Sequence, residues 1–384
     1  MKKYKKLGHR MYLHMHDRKI IRNCNIKLKN ICRGKVLQGV DGGVFREYCR
    51  LWSPLGITPS MLFLNCACSI SGKVSPEFIP EDIYYTRVEP ALNNRLFALA
   101  YNDKNFFERY LHEFREMFPK VYLRGIGGEF YDGDFNPVAI SEVNGILQGL
   151  EDDKDYILKP ATETGAGDNV SVIERRGTLF FIDGSRVELK QLIEILSNVY
   201  KVNFILQERI QQCDWFASFN NEATNILRMF TYRSVTSNEI HVLHSYLRYA
   251  SPQDSFQNYL RNGEYRRGID KDGRLSDFAI SRFGDKTADP KITRIISSDK
   301  VPKYNEMVEL TKQIGAAFYH HRVLGFDYIV DNNNKVRLLE VNLRNIGMVH
   351  HQLIGGPLFG DYTQEVASFC QTNAKSAAFH FYFH

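Results

Sequence analysis

No run of about 18 apolar residues occurs in the chain, which excludes a membrane-spanning helix. The most apolar stretch, Met61 to Ile70, is short and carries Asn65. Cysteine is scarce, seven in 384 residues, an odd number without a Cys-x-x-Cys pair. That excludes a disulfide framework, leaves no pair at zinc-ligand spacing and points to free thiols in a reducing compartment. Internal repeats and low-complexity segments are absent, as are the P-loop and the strand–Gly-x-Gly-x-x-Gly–helix unit. Acid is nearly missing from the first 35 residues, where Asp17 stands alone among twelve Lys/Arg. The net charge of +6 therefore resides in a basic arm, and the body is mildly acidic, unlike a nucleic-acid binder. The arm has no apolar stretch after its charges, and its first Ser is Ser53, so it reads as neither signal nor transit peptide. It reads as a solvated basic helix or tail, or as a contact for anionic lipid at the inner face of a membrane. The expected setting is cytoplasmic.

What is present is an ordinary globular mix, with 43% hydrophobic and 13% aromatic residues, enough for two or three lobes. Residues 36–100 read as short strands and turns, punctuated by Gly39, Gly42, Gly43, Pro54, Pro59, Pro76, Pro80 and Pro90. Asp103 reads as the N-cap of a helix from Lys104 to Met117. Strands are expected at Val121–Leu123, Tyr156–Pro160, Val170–Glu174, Thr178–Asp183 and Phe204–Ile210, with helices at Glu142–Leu150 and Ser185–Leu196. Long antiparallel strands follow at Ile226–Val235 and Ile240–Tyr249, then a helix from Lys303 to His320, a hairpin, and a last helix from Asp361 to Gln371. An aromatic tail, Ala378 to His384, reads as a packed strand or a contact between copies. The mixture gives an α+β (α/β) fold.

Four constellations carry chemistry. In the hairpin Gly325 to Asn342, a polar turn, Asp331 to Lys335, places Asp327 nearly opposite Glu340, and Asn342 shares the Glu340 face. Two carboxylates and an amide in an apolar hairpin suit a hard cation such as Mg²⁺, unless the face is simply solvated. Lys159 ends an apolar strand and precedes a loop with Gly165 and Gly167, the general form of a phosphate cradle or else a surface turn with a snorkelling lysine. Phe204 to Ile210 is an apolar strand ending in polar residues, Gln207 and Glu208, suited to reading an adenine edge, with Asp214 shortly after for ribose hydroxyls. Arg228, on the apolar strand after Asn225, requires an anionic partner, either a ligand or a structural carboxylate.

Taken in order, these residues resemble the ATP-grasp superfamily, and specifically the sugar-transfer-associated ATP-grasp enzymes found with capsular and exopolysaccharide biosynthesis. The matching pieces are Asn102-Asp-Lys-Asn105, Leu158-Lys-Pro160, Leu206-Gln-Glu-Arg-Ile210, Asn225-x-Leu-Arg228, Ile269 to Gly273, Gly325-Phe-Asp327 and Leu339-Glu-Val-Asn342. They span about residues 100–347, while residues 1–90 match nothing. The resemblance implies two α+β lobes gripping ATP. Lys104 and Lys159 would meet its phosphates under a lid loop with Gly165 and Gly167. Gln207, Glu208 and Ile210 would line the adenine site, Asp214 would lie near ribose, and Asp327, Glu340 and Asn342 would hold Mg²⁺. Arg228 and Arg344, with Lys159, would serve the acceptor carboxylate or its acyl phosphate. The implied divisions are a basic arm at 1–35, an N-terminal domain at 36–140, a lid subdomain at 141–206 and a C-terminal subdomain at 207–384. Phe326 stands where many members have Trp, and Gly325 where D-alanine–D-alanine ligases carry Arg. The implied activity is carboxylate–amine ligation of a carboxylated sugar or glycan precursor with an amine or amino acid. Phosphoryl transfer to a sugar, or a non-catalytic nucleotide-binding scaffold in glycan assembly, are the alternatives.

Overall fold

Period-two alternation of apolar residues builds two curled, wholly antiparallel sheets in the computed structural model, which describes residues 2–162, 170–198, 200, 203–251, 264–293 and 300–373. Side chains are described from residue 15 onward, those of 99 and 100 excepted. The first sheet comprises β1 (Val121–Ile126), β2 (Glu129–Asp132), β3 (Pro137–Val138), β4 (Asp155–Pro160), β5 (Ser171–Arg176), β6 (Leu179–Ile182), β7 (Ser185–Val187) and β8 (Phe204–Glu208), in the order β3-β2-β1-β8-β4-β5-β6-β7. The second comprises β9 (Ile226–Arg233), β10 (Ile240–Val242), β11 (Ser245–Ala250), β12 (Glu264–Ile269), β13 (Leu275–Ser281), β14 (Lys286–Thr287), β15 (Val323–Val330) and β16 (Val336–Asn342). Its order is β14-β13-β12-β11-β9-β15-β16, with β10 paired to the far half of β9. The first sheet runs across the division expected at 140.

The first sheet has one face covered by helices, and the second is covered on one face and partly on the other. Tyr156, Leu158, Phe204 and Leu206 pack with Leu147, Leu192 and Leu196 of the helices Ile140–Gln148 and Leu189–Asn198. Lys159 and Gln207 alternate with them and so point the other way. In the second sheet Leu227, Met229, Leu247 and Phe326 pack against the helix Tyr304–Ala316 through Met307 and Ile314. Phe230, Tyr232, Tyr246 and Val323 face oppositely and are roofed by residues from the N-terminal region, among them Tyr48, Trp52, Leu64, Phe78 and Tyr84.

That roof corrects the reading of residues 36–100. The segment is mainly helical, with α1 (Lys2–Cys32) followed by α2 (Gly42–Trp52) and α3 (Met61–Ser71). Of the residues taken for turn punctuation, Gly42, Gly43, Pro54, Pro80 and Pro90 stand at helix starts. Asp41 caps α2 by accepting from the Gly43 N–H, Ser60 caps α3 from the Phe63 N–H, and Gly72 closes α3 in the left-handed region at φ 74°. Seven of the eleven α3 residues are buried, so no polar face revealed the helical period. The arm is not simply solvated. Its second half buries Leu28 and Ile31, and Asp17 accepts from Arg87 at 2.7 Å.

Three smaller corrections follow. Asp103 does cap, accepting from the Asn105 N–H at 3.0 Å, but residues 104–117 are short 3₁₀ and α pieces rather than one helix. Asn105 is fully buried and donates to Gly125 O at 3.0 Å while Arg124 donates to Asn105 O at 2.8 Å, so the segment follows the sheet instead of its own axis. Ser185 begins a strand, because Asp183 and Gly184, at φ 50° and 77°, make the hairpin turn that an Asp-Gly pair favours. The helix starts only at Leu189. The single strand expected over Ile240–Tyr249 is two, β10 and β11, both beside β9. The aromatic tail lies outside the described residues.

Candidate functional site

The hairpin β15–β16 is pinned by its turn. Asp331 Oδ1 accepts from the N–H groups of Asn333 at 3.0 Å and Lys335 at 2.9 Å, and Asn334 adopts φ 59°. The turn's register runs to Tyr328 opposite Leu338, and a β-bulge between Tyr328 and Asp327 then sets Asp327 opposite Glu340, and Gly325 opposite Asn342. On the other side of β15, Asp327 stands opposite Arg228 of β9. Arg228 takes the Asp327 carboxylate as a fork, Nε to Oδ1 at 2.6 Å and Nη2 to Oδ2 at 2.5 Å. Burial would raise the Asp327 carboxyl, but the guanidinium outweighs it and holds that carboxyl below its ordinary range.

The facing lobe supplies the cations. Lys104, tied by its N–H to Ala161 O at 2.8 Å, places Nζ 3.0 Å from Glu340 Oε1. Lys159 projects from β4 toward the same place. Burial and then the neighbouring Lys104 pull its pKa down to about 8, against the opposing attraction of Glu340 and Asp327. Two ammonium groups from one side thus meet two carboxylates from the other. Gly165 and Gly167 lie outside the described residues.

The lobes also meet at the end of β8. Glu208 Oε1 accepts from the Lys120 N–H at 2.9 Å and from Arg337 Nη2 at 2.6 Å, and Arg337 donates in addition to Phe118 O at 3.0 Å. Gln207 is buried on the Lys159 face, Ile210 belongs to the core of the second lobe, and Asp214 is exposed at the start of the short helix Asp214–Ala217. Arg344 is half-buried beyond β16 and close enough to Arg95 to depress its pKa, after burial, toward the N-terminal helices.

Asp327, Glu340 and Asn342 are the residues that would hold Mg²⁺. Two carboxylates and an amide oxygen are hard donors of the right class. The Asn342 side chain lies close enough to Asp327 to hydrogen-bond its carboxylate, so amide and carboxylate share one place on the hairpin face. Among the described residues no three His, Cys, Asp or Glu cluster as a self-sufficient metal cage. The set therefore fits a cation that brings phosphate oxygens with it.

Sequence reasoning missed Arg248, Arg266 and Glu264 on the same face of the second sheet. The signal that singled out Arg228, a guanidinium inside an apolar strand, applies equally to Arg248 in Ser245-Tyr-Leu-Arg-Tyr-Ala250.

Two curled sheets that bring cations and carboxylates together in this way make an ATP-grasp fold. The chain belongs to the sugar-transfer associated ATP-grasp family, whose model matches residues 84–367. Among solved structures it is similar to N5-carboxyaminoimidazole synthetase from Staphylococcus aureus, at 10% identity and TM-score 0.36, over 69% of this chain and 51% of that one. It is also similar to D-alanine–D-alanine ligase from Bacillus anthracis, at 10% identity and TM-score 0.37, over 74% of this chain and 71% of that one. A third is the ATP-grasp ligase PsnB complexed with minimal precursor, at 14% identity and TM-score 0.39, over 73% and 63%. The chain thus spans about half the length of the Staphylococcus synthetase. Comparison with curated proteins gave no match.

Proposed function

We propose that this chain is an ATP-dependent carboxylate–amine ligase that activates its acceptor as an acyl phosphate, the acceptor being a carboxylated sugar such as a uronic acid, or a glycan precursor. The observation that carries the reading is the meeting of Lys104 and Lys159 from one lobe with Glu340 and Asp327 from the other. A carboxylate is a poor electrophile because oxide is a poor leaving group; moving the γ-phosphoryl of ATP onto its oxygen creates a phosphate leaving group. The amine then attacks the acyl carbon, the C–O bond to phosphate breaks, and the amine loses a proton as the amide forms. Lys104 and Lys159 would neutralise the phosphates and Arg228 the charge at the acceptor end. A magnesium ion held by Asp327, Glu340 and Asn342 would supply further charge neutralisation on phosphate oxygens. Closing the lobes would shield the acyl phosphate from water.

The basic arm fits the same setting, a cytoplasmic enzyme at an anionic inner membrane face. No helix among the described residues is long and apolar enough to cross a membrane.

The test is ADP release with hydroxylamine present as trap, over a panel of uronic acids and other carboxylates. Hydroxamate formed in step with ADP supports the ligase. A phosphorylated sugar without hydroxamate would transfer the site to a phosphotransferase, and ATP binding without turnover on any member would leave a nucleotide-binding scaffold.

A further inference from the structure

A second guanidinium cluster lies on the same face as Arg228 and has no part in the chemistry above. Arg248 of β11 stands directly opposite Arg266 of β12, and opposite Ile226 of β9. It is therefore a diagonal neighbour of Arg228, about 7–8 Å away along the face. Two arginines facing each other across a strand pair repel unless an anion lies between them. One carboxylate serves both. Glu264 Oε1 accepts from Arg266 Nη2 at 2.6 Å and lies 3.6 Å from Arg248 Nε. Arg282, just beyond β13, adds to the same positive field, and together these arginines hold the Glu264 carboxyl below its ordinary range although burial would raise it.

One carboxylate does not satisfy Arg266. Arg266 is only 8% exposed, and its Nε and Nη1 are buried without a hydrogen-bond partner. A guanidinium carries five donors in a planar fork and cannot escape by losing its proton. Asp327 is already taken by Arg228. The helix Met348–Gly355, which closes this side, presents His350, whose Nε2 is engaged with Arg282 O at 2.8 Å, and so supplies no negative charge. Among the described residues no further anion meets the Arg266 fork, which is shaped for an oxyanion.

We infer that Arg248 and Arg266 bind a second anionic group of the acceptor, a phosphate or carboxylate distinct from the carboxylate activated beside Arg228. The inference rests on the ligase reading of this cleft and narrows it. The acceptor is at least dianionic, with its two charged groups separated by the distance from Arg228 to the Arg248–Arg266 pair. A plain uronic acid fills half the site, whereas a uronate bearing a phosphate, or a dicarboxylate, fills both halves.

The test uses the full chain, wild type and Arg266→Gln, with and without Mg-ADP at constant ionic strength. Inorganic phosphate and glutarate are titrated separately, followed by tryptophan fluorescence and melting temperature. The expected result is a saturable response to one of these anions in wild type that survives saturation with Mg-ADP and weakens at least tenfold in Arg266→Gln, about 1.4 kcal/mol. Arg266→Lys, which keeps the charge but loses the planar fork, gives an intermediate affinity and guards against a merely unfolded variant. Response to phosphate assigns a phosphorylated acceptor, and response to glutarate assigns a dicarboxylate. No saturable response in wild type, or the same affinity in Arg266→Gln, overturns the inference. Absence of the anion response in wild type with Mg-ADP binding intact refutes this site alone. Failure of Mg-ADP to bind while the Arg266-dependent response persists refutes the nucleotide reading alone.

Discussion

Lys159 makes nucleotide affinity depend on pH in a calculable way. Its pKa in the free protein is about 8, against an ordinary value of 10.5. Phosphate oxygens laid beside it would restore the ordinary value, so binding in alkaline solution must take up a proton. At pH 7 the group is already charged and little uptake is needed. At pH 9 about nine in ten molecules must be protonated on binding, which costs about 1.4 kcal/mol and weakens Mg-ATP about tenfold. Calorimetric titration at pH 7 and pH 9, in buffers of different ionisation enthalpy, reads both the affinity and the proton count. The stability of the free protein has the opposite sign. Below pH 8 the buried ammonium is a burden on the folded state. Between pH 8 and 10.5 the folded state binds fewer protons than the unfolded one, so Lys159 adds stability as pH rises. Lys159→Met therefore removes the pH dependence of binding and raises the melting temperature at pH 7 while weakening Mg-ATP. Unchanged wild-type affinity from pH 7 to 9 without proton uptake, or the same pH dependence in Lys159→Met, would refute the reasoning.

Other substitutions test the frame. Asp327→Asn leaves the Arg228 guanidinium buried without its counter-charge and should cost about 3–5 kcal/mol in urea unfolding; the double variant with Arg228→Met should recover most of it, as a double-mutant cycle would record. Asn93 donates to Val323 O at 2.7 Å and Leu343 O at 3.0 Å and accepts from the N–H groups of Arg322 and Val323 at 2.9 Å. Asn93→Ala should therefore destabilise by about 3 kcal/mol, measured by chemical denaturation. Gly125→Ala drives its methyl into the Phe204 ring and should lower stability by about 1–3 kcal/mol in the same assay.

The near-opposition of Asp327 and Glu340 was legible because five consecutive polar residues, Asp331 to Lys335, place the turn, whereas the β-bulge that makes the pairing direct left no mark in the sequence. The identity of Lys159 and Arg228 as buried-side cations was legible for a similar reason, since charge is rare on apolar strands. Their partners were not. Arg228 and Asp327 meet across 99 residues of sequence, and strand periodicity gives the face a residue takes but not which strand lies alongside. The helices before residue 93 were illegible because Asp41, Ser60 and Gly72 serve caps and turns equally well, and because α3 is apolar on nearly every side. Asp183-Gly184 was a readable hairpin signal, obscured by the helix that starts a few residues later.

The roof over the second sheet bears on where this protein can be cut. The family match begins at residue 84, yet Tyr48, Trp52, Leu64, Phe78 and Ile83 share one core with Phe230, Tyr232, Tyr246 and Val323. Ile79 exchanges both backbone hydrogen bonds with the Gln352 side chain at 2.9 Å. A chain trimmed to the matched region would strip the strand that carries Arg228 down to bare aromatic surface, and aggregation should follow. Homology and hydrophobic core draw different borders here, and the core is the one a soluble fragment has to respect.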